Sequence, residues 1–169
     1  MTRTLVLGIG NVLLTDDGAG VHAVRQLAGE LGEAPGVQYL DGGTLSFSLA
    51  PAIEEADRLI VFDAAQLGAP AGTVRCLVDG EMDRFLGRCK RSVHEVALLD
   101  LLDIARLTDS LPRQRALIGI QPDAIEWGEA PTARVAEGIR RAVETGAGLI
   151  AAWPEAPSDA ATLPEVACA

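Results

Sequence analysis

Short apolar runs alternate with stretches of helical periodicity from Thr4 to Asp63, and this alternation restricts the fold more than any other feature of the sequence. Residues 4–8, 37–40 and 58–62 are apolar runs of strand length, and residues 21–31 and 45–55 between them have helical spacing. This strand and helix order predicts parallel pairing, because each helix carries the chain back across the sheet. We predict that residues 4–8 form the central strand, buried on both faces.

The alternation of strands and helices stops after Asp63. Residues 64–72 contain Gly and Pro and are shorter than the dozen or so residues that a parallel crossover needs, so a strand at residues 73–78 should run antiparallel. A short helix at residues 81–86, a helix at 93–107, a strand at 116–120 and an amphipathic helix at 135–150 follow. We therefore predict a three-layer α/β/α sandwich around a five-stranded mixed, mostly parallel sheet whose fourth strand is antiparallel.

Size and composition favour one domain. A chain of 169 residues with 49% hydrophobic residues can build a single core, which we assign to residues 1–153. Residues 154–169 are rich in Pro and Ala without periodicity and are predicted to form a disordered tail. The net charge of -10 would repel phosphate groups, so neither nucleic acid nor an anionic membrane surface is an expected partner.

The cysteines and the apolar segments bear on the compartment. Cys76, Cys89 and Cys168 show no spacing typical of structural zinc or thiol redox motifs, which fits a reducing cytoplasm. The apolar run at residues 5–14 contains Asn11 and lacks a cleavage site, and no stretch reaches the roughly 18 apolar residues of a membrane span. We expect a soluble, cytoplasmic monomer.

Three polar residues are expected to meet at one edge of the sheet. Asp17 follows the loop after the first strand, and Asp63 ends the third, so both should lie at the carboxyl edge. If the fourth strand is reversed, residues 80–91 return the chain to that edge, and His94 would begin the next helix there. The sequence therefore predicts a cluster of two carboxylates and one imidazole.

The chemistry of this cluster suits a divalent metal. Ser92 and Glu95 have capping-box spacing, which places His94 in the first turn of its helix, where the helix dipole favours a neutral imidazole. One imidazole and two carboxylates suit nickel, zinc, manganese or iron(II) and leave coordination positions open. Taken singly, each residue is better explained by capping, a turn or a surface histidine. Asp63, however, ends a buried strand, where an uncompensated charge is costly.

Other motifs compete with this cluster. Gly8-Ile9-Gly10 after a strand is typical of dinucleotide-binding proteins, but Leu13 occupies the position of the third glycine. Cys89 is a candidate nucleophile, because its basic neighbours could lower the thiol pKa. His22 is interpreted as a structural or surface residue, and the role of Asp41, before a glycine pair, stays open.

The motifs together resemble one known family, the hydrogenase maturation endopeptidases. The resemblance covers roughly residues 3–150 and rests on motifs in the family's order and spacing. They are Gly8-Ile9-Gly10-Asn11-Val12-Leu13-Leu14-Thr15-Asp16-Asp17-Gly18, Asp41-Gly42-Gly43-Thr44, Phe62-Asp63-Ala64, Ser92-Val93-His94-Glu95 and Gly119-Ile120-Gln121-Pro122. Each motif is weak alone, whereas the ordered set is specific.

The resemblance implies an aspartyl endopeptidase-like enzyme that removes the C-terminal extension of a nickel–iron hydrogenase large-subunit precursor after nickel insertion. It also implies that Asp17, Asp63 and His94 contact the metal, and that this nickel belongs to the precursor. Many members of that family carry glutamate at the position of Asp17 and others carry aspartate, so this chain departs only mildly from the family's pattern. Our mechanistic hypothesis is that a polarised water attacks the scissile bond, with Asp63 as the preferred base because a strand end is rigid. A nickel-binding accessory protein without peptidase activity and a nucleotide-binding regulatory module are the alternatives.

Overall fold

The computed structural model of the chain describes residues 2–44, 47–88 and 93–153. Within these residues a five-stranded sheet is formed by β1 (Thr4–Gly8), β2 (Val37–Asp41), β3 (Arg58–Ala64), β4 (Val74–Val78) and β5 (Gln114–Ile120). The helices are α1 (Ala19–Leu31), α2 (Ala50–Glu54), α3 (Gly80–Arg88), α4 (Val93–Leu107) and α5 (Ala133–Ala152). Short 3-10 helices at Thr15–Gly18 and Phe47–Leu49 precede α1 and α2.

The strand order is β2-β1-β3-β5-β4. The strands β1, β2, β3 and β5 pair in parallel, and β4 pairs antiparallel with β5, which confirms the predicted reversal of the fourth strand. The prediction that β1 is central was wrong. The chain adds β5 and β4 beyond β3, so the centre moves to β3, and all of its residues are buried.

Helices cover both faces of the sheet, which confirms the three-layer architecture. One core joins α1 and α5 to the face that carries Val6, Ile60 and Phe62. The other joins α2, α3 and α4 to the face that carries Leu7, Val61 and Leu117. Neighbouring residues of one strand enter opposite cores because side chains alternate across a sheet.

Several boundaries differ from the predictions. The predicted helix at residues 45–55 is instead a 3-10 turn followed by the short α2, whose Pro51 stands at a helix start, where its missing N–H costs no hydrogen bond. Ser92, Cys89 and the predicted tail at residues 154–169 lie outside the described residues. In the part of the chain that the structure describes, no helix has the length and apolar character to cross a membrane.

Close backbone contacts fix the start of α1 against the carboxyl ends of β1 and β3. A Cβ atom on Gly20 would lie 2.2 Å from the carbonyl oxygen of Phe62 and 2.3 Å from that of Ile9. One on Gly8 would lie 2.4 Å from the carbonyl oxygen of Gly20. Only glycine allows this approach, which sets α1 and the preceding loop directly above the crevice between β1 and β3. Connections leave β1 and β3 in different directions there, and such switch points are where open α/β sheets bind ligands.

Candidate functional site

Asp63 supplies the most buried acidic group at this crevice. It is the penultimate residue of β3, pairs with Gly119 of β5, and has 0% exposure. The strand on either side is apolar, so its position is fixed by strand hydrogen bonds and core packing. A carboxylate in such a place needs compensating contacts, because burying a charge is costly.

Asp17 reaches the same crevice from the loop after β1. Its Oδ2 atom accepts a 2.9 Å hydrogen bond from the backbone N–H of Asn11. Gly10 makes the required turn with a φ of 136°, and a Cβ there would lie 1.9 Å from the carbonyl oxygen of Asp17. The loop therefore folds back on itself and holds Asp17 in place, with its side chain 16% exposed.

His94 lies between the two carboxylates. It is the second residue of α4, with 8% exposure, as expected for a first-turn residue at this edge. Its Nε2 atom is 3.7 Å from Oδ2 of Asp17, and its Nδ1 atom is 3.6 Å from Oδ1 of Asp63. The three residues predicted from the sequence are therefore together in space.

The two carboxylates face different nitrogens of the ring. Because a single ion binds one imidazole nitrogen, one ion shared by all three residues needs a rotation of the ring or of a carboxylate. Consistent with this, no three His, Cys, Asp or Glu side chains among the described residues already surround a common point as metal ligands. The arrangement offers three ligand-type groups at short range, together with carboxylates that can accept a proton.

Asp16, the neighbour of Asp17, has a structural role that the sequence did not reveal. It has 0% exposure, and its carboxylate accepts hydrogen bonds from the backbone N–H groups of Asp123 (2.9 Å), Ala124 (2.9 Å) and Thr132 (2.6 Å). The hydroxyl of Thr132 donates a further one at 3.0 Å. This buried carboxylate thus ties the segment between β5 and α5 to the loop that carries Asp17.

Thr15 adds to the same connection. Its hydroxyl donates to the carbonyl oxygen of Ala124 at 2.8 Å, and its backbone N–H donates to that of Gly128 at 2.6 Å. The backbone N–H of Gly128 donates to the carbonyl oxygen of Leu13 at 3.0 Å. Residues 13–16 and 123–132 therefore form one hydrogen-bonded unit beside the cluster.

Asp41 does not join the cluster. Its Oδ2 atom accepts a 2.7 Å hydrogen bond from Arg25, and its Oδ1 atom accepts one of 3.0 Å from the N–H of Gly43. The carbonyl oxygen of Gly43 in turn accepts the N–H of Gly10 at 2.7 Å. The glycine pair after β2 thus supports the turn that positions Asp17.

Most N–H groups of the loop after β1 already have acceptors within the protein, unlike those of a phosphate-binding loop. The N–H of Asn11 donates to Asp17, that of Leu13 donates to the side chain of Asn11 at 3.0 Å, and that of Leu14 donates to the carbonyl oxygen of Asn11 at 3.0 Å. Two acids follow directly. Since a pyrophosphate needs available N–H donors, this geometry argues against dinucleotide binding.

Gln121 organises the loop on the other side of Asp63. Its Oε1 atom accepts the N–H of Leu67 at 2.8 Å, and its Nε2 atom donates to Oε1 of Gln66 at 3.0 Å. The sequence singled out Gln121 only as part of the Gly119–Pro122 motif. Its role could not be predicted, because it depends on which loops are neighbours in the folded chain.

His22 stands apart from the cluster, as expected. It lies on α1 beside Arg25, and burial, reinforced by that guanidinium, lowers the pKa of its imidazole. The chain's two histidines therefore differ in position and partners, and His94 is the one between carboxylates.

The chain is similar in sequence to hydrogenase maturation proteases and to hydrogenase expression/formation proteins. The family model described as hydrogenase maturation protease matches residues 21–149. The hydrogenase expression/formation protein HoxM of Cupriavidus necator is 37% identical over 173 residues, covering 96% of this chain and 86% of the relative. HupD of Bradyrhizobium diazoefficiens is 39% identical over 152 residues, covering 89% and 79%.

Solved structures of hydrogenase maturation proteases have the same fold as this chain. The hydrogenase maturating endopeptidase HybD from Escherichia coli superposes with a TM-score of 0.81 at 34% identity and covers 89% of this chain and 93% of its own. The nickel–iron hydrogenase maturation protease HybD from Thermococcus kodakarensis gives a TM-score of 0.75 at 31% identity, covering 88% and 99%.

Proposed function

Since the chain belongs to the hydrogenase maturation protease family, we propose that it removes the C-terminal extension of a nickel–iron hydrogenase large-subunit precursor after nickel insertion. The nickel is part of the substrate, and Asp17, Asp63 and His94 bind it. The observation that carries this proposal is the position of His94 within 3.7 Å of Asp17 and 3.6 Å of Asp63, at the switch point of the sheet.

The donor set supports contact with a substrate-borne metal. Ligand atoms that share a first-row ion with bonds of about 2.0–2.2 Å lie roughly 3 Å apart, which is close to the observed separations, and a rotation of the His94 ring or of one carboxylate would bring the three groups to one ion. Because these groups do not yet surround one point, the ion delivered by the precursor would complete the site. Binding of the metal would then report that nickel has been inserted.

The reaction is the hydrolysis of one peptide bond. The oxygen of a water molecule attacks the carbonyl carbon of the scissile bond while a carboxylate takes one of its protons. The carbon–nitrogen bond then breaks, and the same carboxyl group returns the proton to the leaving nitrogen. Contact of the cluster with the nickel would hold the scissile bond near this carboxylate.

Burial favours Asp17 over Asp63 as that carboxylate. Strand-end rigidity alone favours Asp63, but its side chain is 1% exposed, whereas that of Asp17 is 16% exposed. A water molecule that enters with the substrate reaches Asp17 more directly. We therefore assign the proton transfer to the Asp17 carboxylate, and Asp63 acts with His94 as a contact of the nickel.

The cytoplasm is the proposed compartment. The sequence supports it, because Cys76, Cys89 and Cys168 show no spacing typical of structural zinc or thiol redox motifs, which fits a reducing compartment. The substrate is accordingly proposed to be a precursor that has not left the cytoplasm.

The experiment that tests the function compares two forms of one substrate. The purified chain is mixed with nickel-loaded and with nickel-free large-subunit precursor from its source organism, and mass spectrometry follows the loss of the C-terminal extension. We expect cleavage only of the nickel-loaded form. Cleavage of both forms would contradict nickel recognition, and binding without cleavage would favour a nickel-binding accessory protein.

A histidine pair provides the matched control. His94→Ala should abolish cleavage, whereas His22→Asn, which changes the other histidine of the chain, should leave it within about 2-fold of wild type. If His94→Ala cleaved the precursor as well as His22→Asn does, His94 would have no role in the reaction.

A further inference from the structure

Three large apolar side chains are exposed on the loop that leads to Asp17 and on the segment that is hydrogen-bonded to this loop. Leu13 is 47% exposed, Ile125 is 53% exposed and Trp127 is 83% exposed. They lie on the two segments joined by the Leu14–Gly128 bridge and by the hydrogen bond from Gly128 to Leu13. We call these three side chains the apolar rim.

The backbone beneath the apolar rim is held in place. Asp16 accepts the N–H groups of Asp123 and Ala124, and the hydroxyl of Thr15 accepts that of Glu126 at 3.2 Å. Exposing an indole ring to water is costly, since the apolar surface stays hydrated. This loop nevertheless fixes Trp127 outward by using a fully buried carboxylate, so the exposed position is built into the fold.

The apolar rim has an acidic border. Asp123, Glu126 and Glu129 are exposed on the same segment, where the backbone N–H groups of Asp123 and Glu126 donate to Asp16 and to Thr15. The surface therefore combines an aromatic anchor with negative charge.

We propose that the apolar rim and its acidic border form the docking surface for the precursor, binding a segment near the scissile bond that carries apolar and basic side chains. This inference rests on the proposed function. It names the part of the protease that holds the polypeptide, whereas Asp17, Asp63 and His94 contact the metal.

Continuity with the cluster supports this occupant. Leu13 belongs to the loop in which the N–H of Asn11 binds Asp17, so a segment bound at Leu13 would contact the same loop that positions the reactive carboxylate. Tryptophan and other large anchors contribute most of the binding free energy in interfaces, and oppositely charged borders steer association. An acidic border therefore selects a basic segment.

The test measures binding separately from cleavage. Calorimetry with the nickel-loaded precursor is performed on the wild type and on Trp127→Ala, both at a temperature where cleavage is slow. We expect Trp127→Ala to weaken binding by about 30-fold, the usual effect of losing an interface anchor. In processing assays the same variant should raise KM and leave kcat within about 2-fold.

Matched controls lie at the other edge of the sheet. Leu107, the last residue of α4, is 88% exposed, so Leu107→Ala removes apolar surface of comparable exposure far from His94 and should not change the affinity. Glu126→Lys should weaken binding and flatten its dependence on salt, whereas Glu30→Lys at the distant end of α1 should do neither.

The outcomes separate the docking surface from the function. If the wild type binds without cleaving and Trp127→Ala does not bind, the proposed function fails and the docking surface stands. If Trp127→Ala binds and cleaves as the wild type does, the docking surface is overturned and the function stands. A dimer in light scattering that Trp127→Ala dissociates, with precursor affinity unchanged, would assign the apolar rim to a second copy of the chain and also overturn the proposal.

Discussion

The Nε2 atom of His94 lies 3.7 Å from Oδ2 of Asp17, although one residue begins α4 and the other follows β1. The same Asp17 oxygen accepts the N–H of Asn11 at 2.9 Å. Through Asp17, the side chain of His94 on α4 is thus linked to the backbone of the loop after β1. Asp17 is also the most exposed member of the cluster, with a side-chain exposure of 16% against 10% for His94 and 1% for Asp63.

Asp17→Asn should lower kcat for processing of nickel-loaded precursor by about 100-fold or more, because the amide cannot accept the proton that general base catalysis requires. The free energy of unfolding, measured with urea, should change by less than about 1 kcal/mol, since the amide oxygen still accepts the N–H of Asn11. Asp17→Glu keeps the carboxylate and should retain activity. Normal kcat for Asp17→Asn would show that another group is the base.

Asp16→Asn should destabilise the fold far more than Asp17→Asn. The amide can replace only part of the carboxylate that accepts hydrogen bonds from Asp123, Ala124 and Thr132, and its NH2 group would face N–H donors. We expect a loss of about 3 kcal/mol in urea unfolding, given the cost of unsatisfied buried groups. Asp123→Asn, whose side chain is exposed, is the control and should stay within about 0.5 kcal/mol of wild type.

Two glycines of α1 provide a test of backbone approach. Gly20→Ala places a Cβ 2.2 Å from the carbonyl oxygen of Phe62 and should cost about 3 kcal/mol of stability. Gly29→Ala, on the same helix, meets nothing within 4 Å and should stabilise the protein by up to about 1 kcal/mol. Thermal unfolding of both variants measures the contrast. Equal effects would mean that α1 does not pack against β3 as closely as described.

Asp83 should make a pH-dependent contribution to stability. Hydrogen bonds from Arg115, at 2.5 Å and 3.0 Å, hold the pKa of the Asp83 carboxyl below its ordinary value of 3.8. The stabilisation is therefore complete above that ordinary value and is lost as pH falls through the lower pKa of the folded state. Asp83→Asn should cost about 1–2 kcal/mol at pH 7, and the difference from wild type should shrink in urea titrations as the pH is lowered below the ordinary carboxyl pKa of 3.8.

Asp103→Asn is the control for that experiment. Asp103 pairs with Arg106 of the same helix and has a 54% exposed side chain, so its replacement should change stability by less than about 0.5 kcal/mol. A pH-independent difference between wild type and Asp83→Asn would contradict the ion-pair explanation.

Local pattern was sufficient for most of the fold. The apolar runs and helical periods located β1, β2, β3 and α1, and the short connection of residues 64–72 predicted the reversal of β4. That reversal, together with the length of chain between β4 and α4, also predicted that His94 would meet Asp17 and Asp63. These inferences succeeded because strand direction and connection length are encoded over short distances in the chain.

The strand order and the partners of the site residues were decided only by the tertiary structure, because both depend on contacts between distant segments of the chain. Strand order moved the centre of the sheet from β1 to β3, since β5 and β4 add beyond it. Two adjacent aspartates, alike in the sequence, have opposite roles, because Asp16 points into N–H donors of the segment before α5 while Asp17 faces His94. A side chain's partners come from residues distant in the chain, and local periodicity carries no information about them.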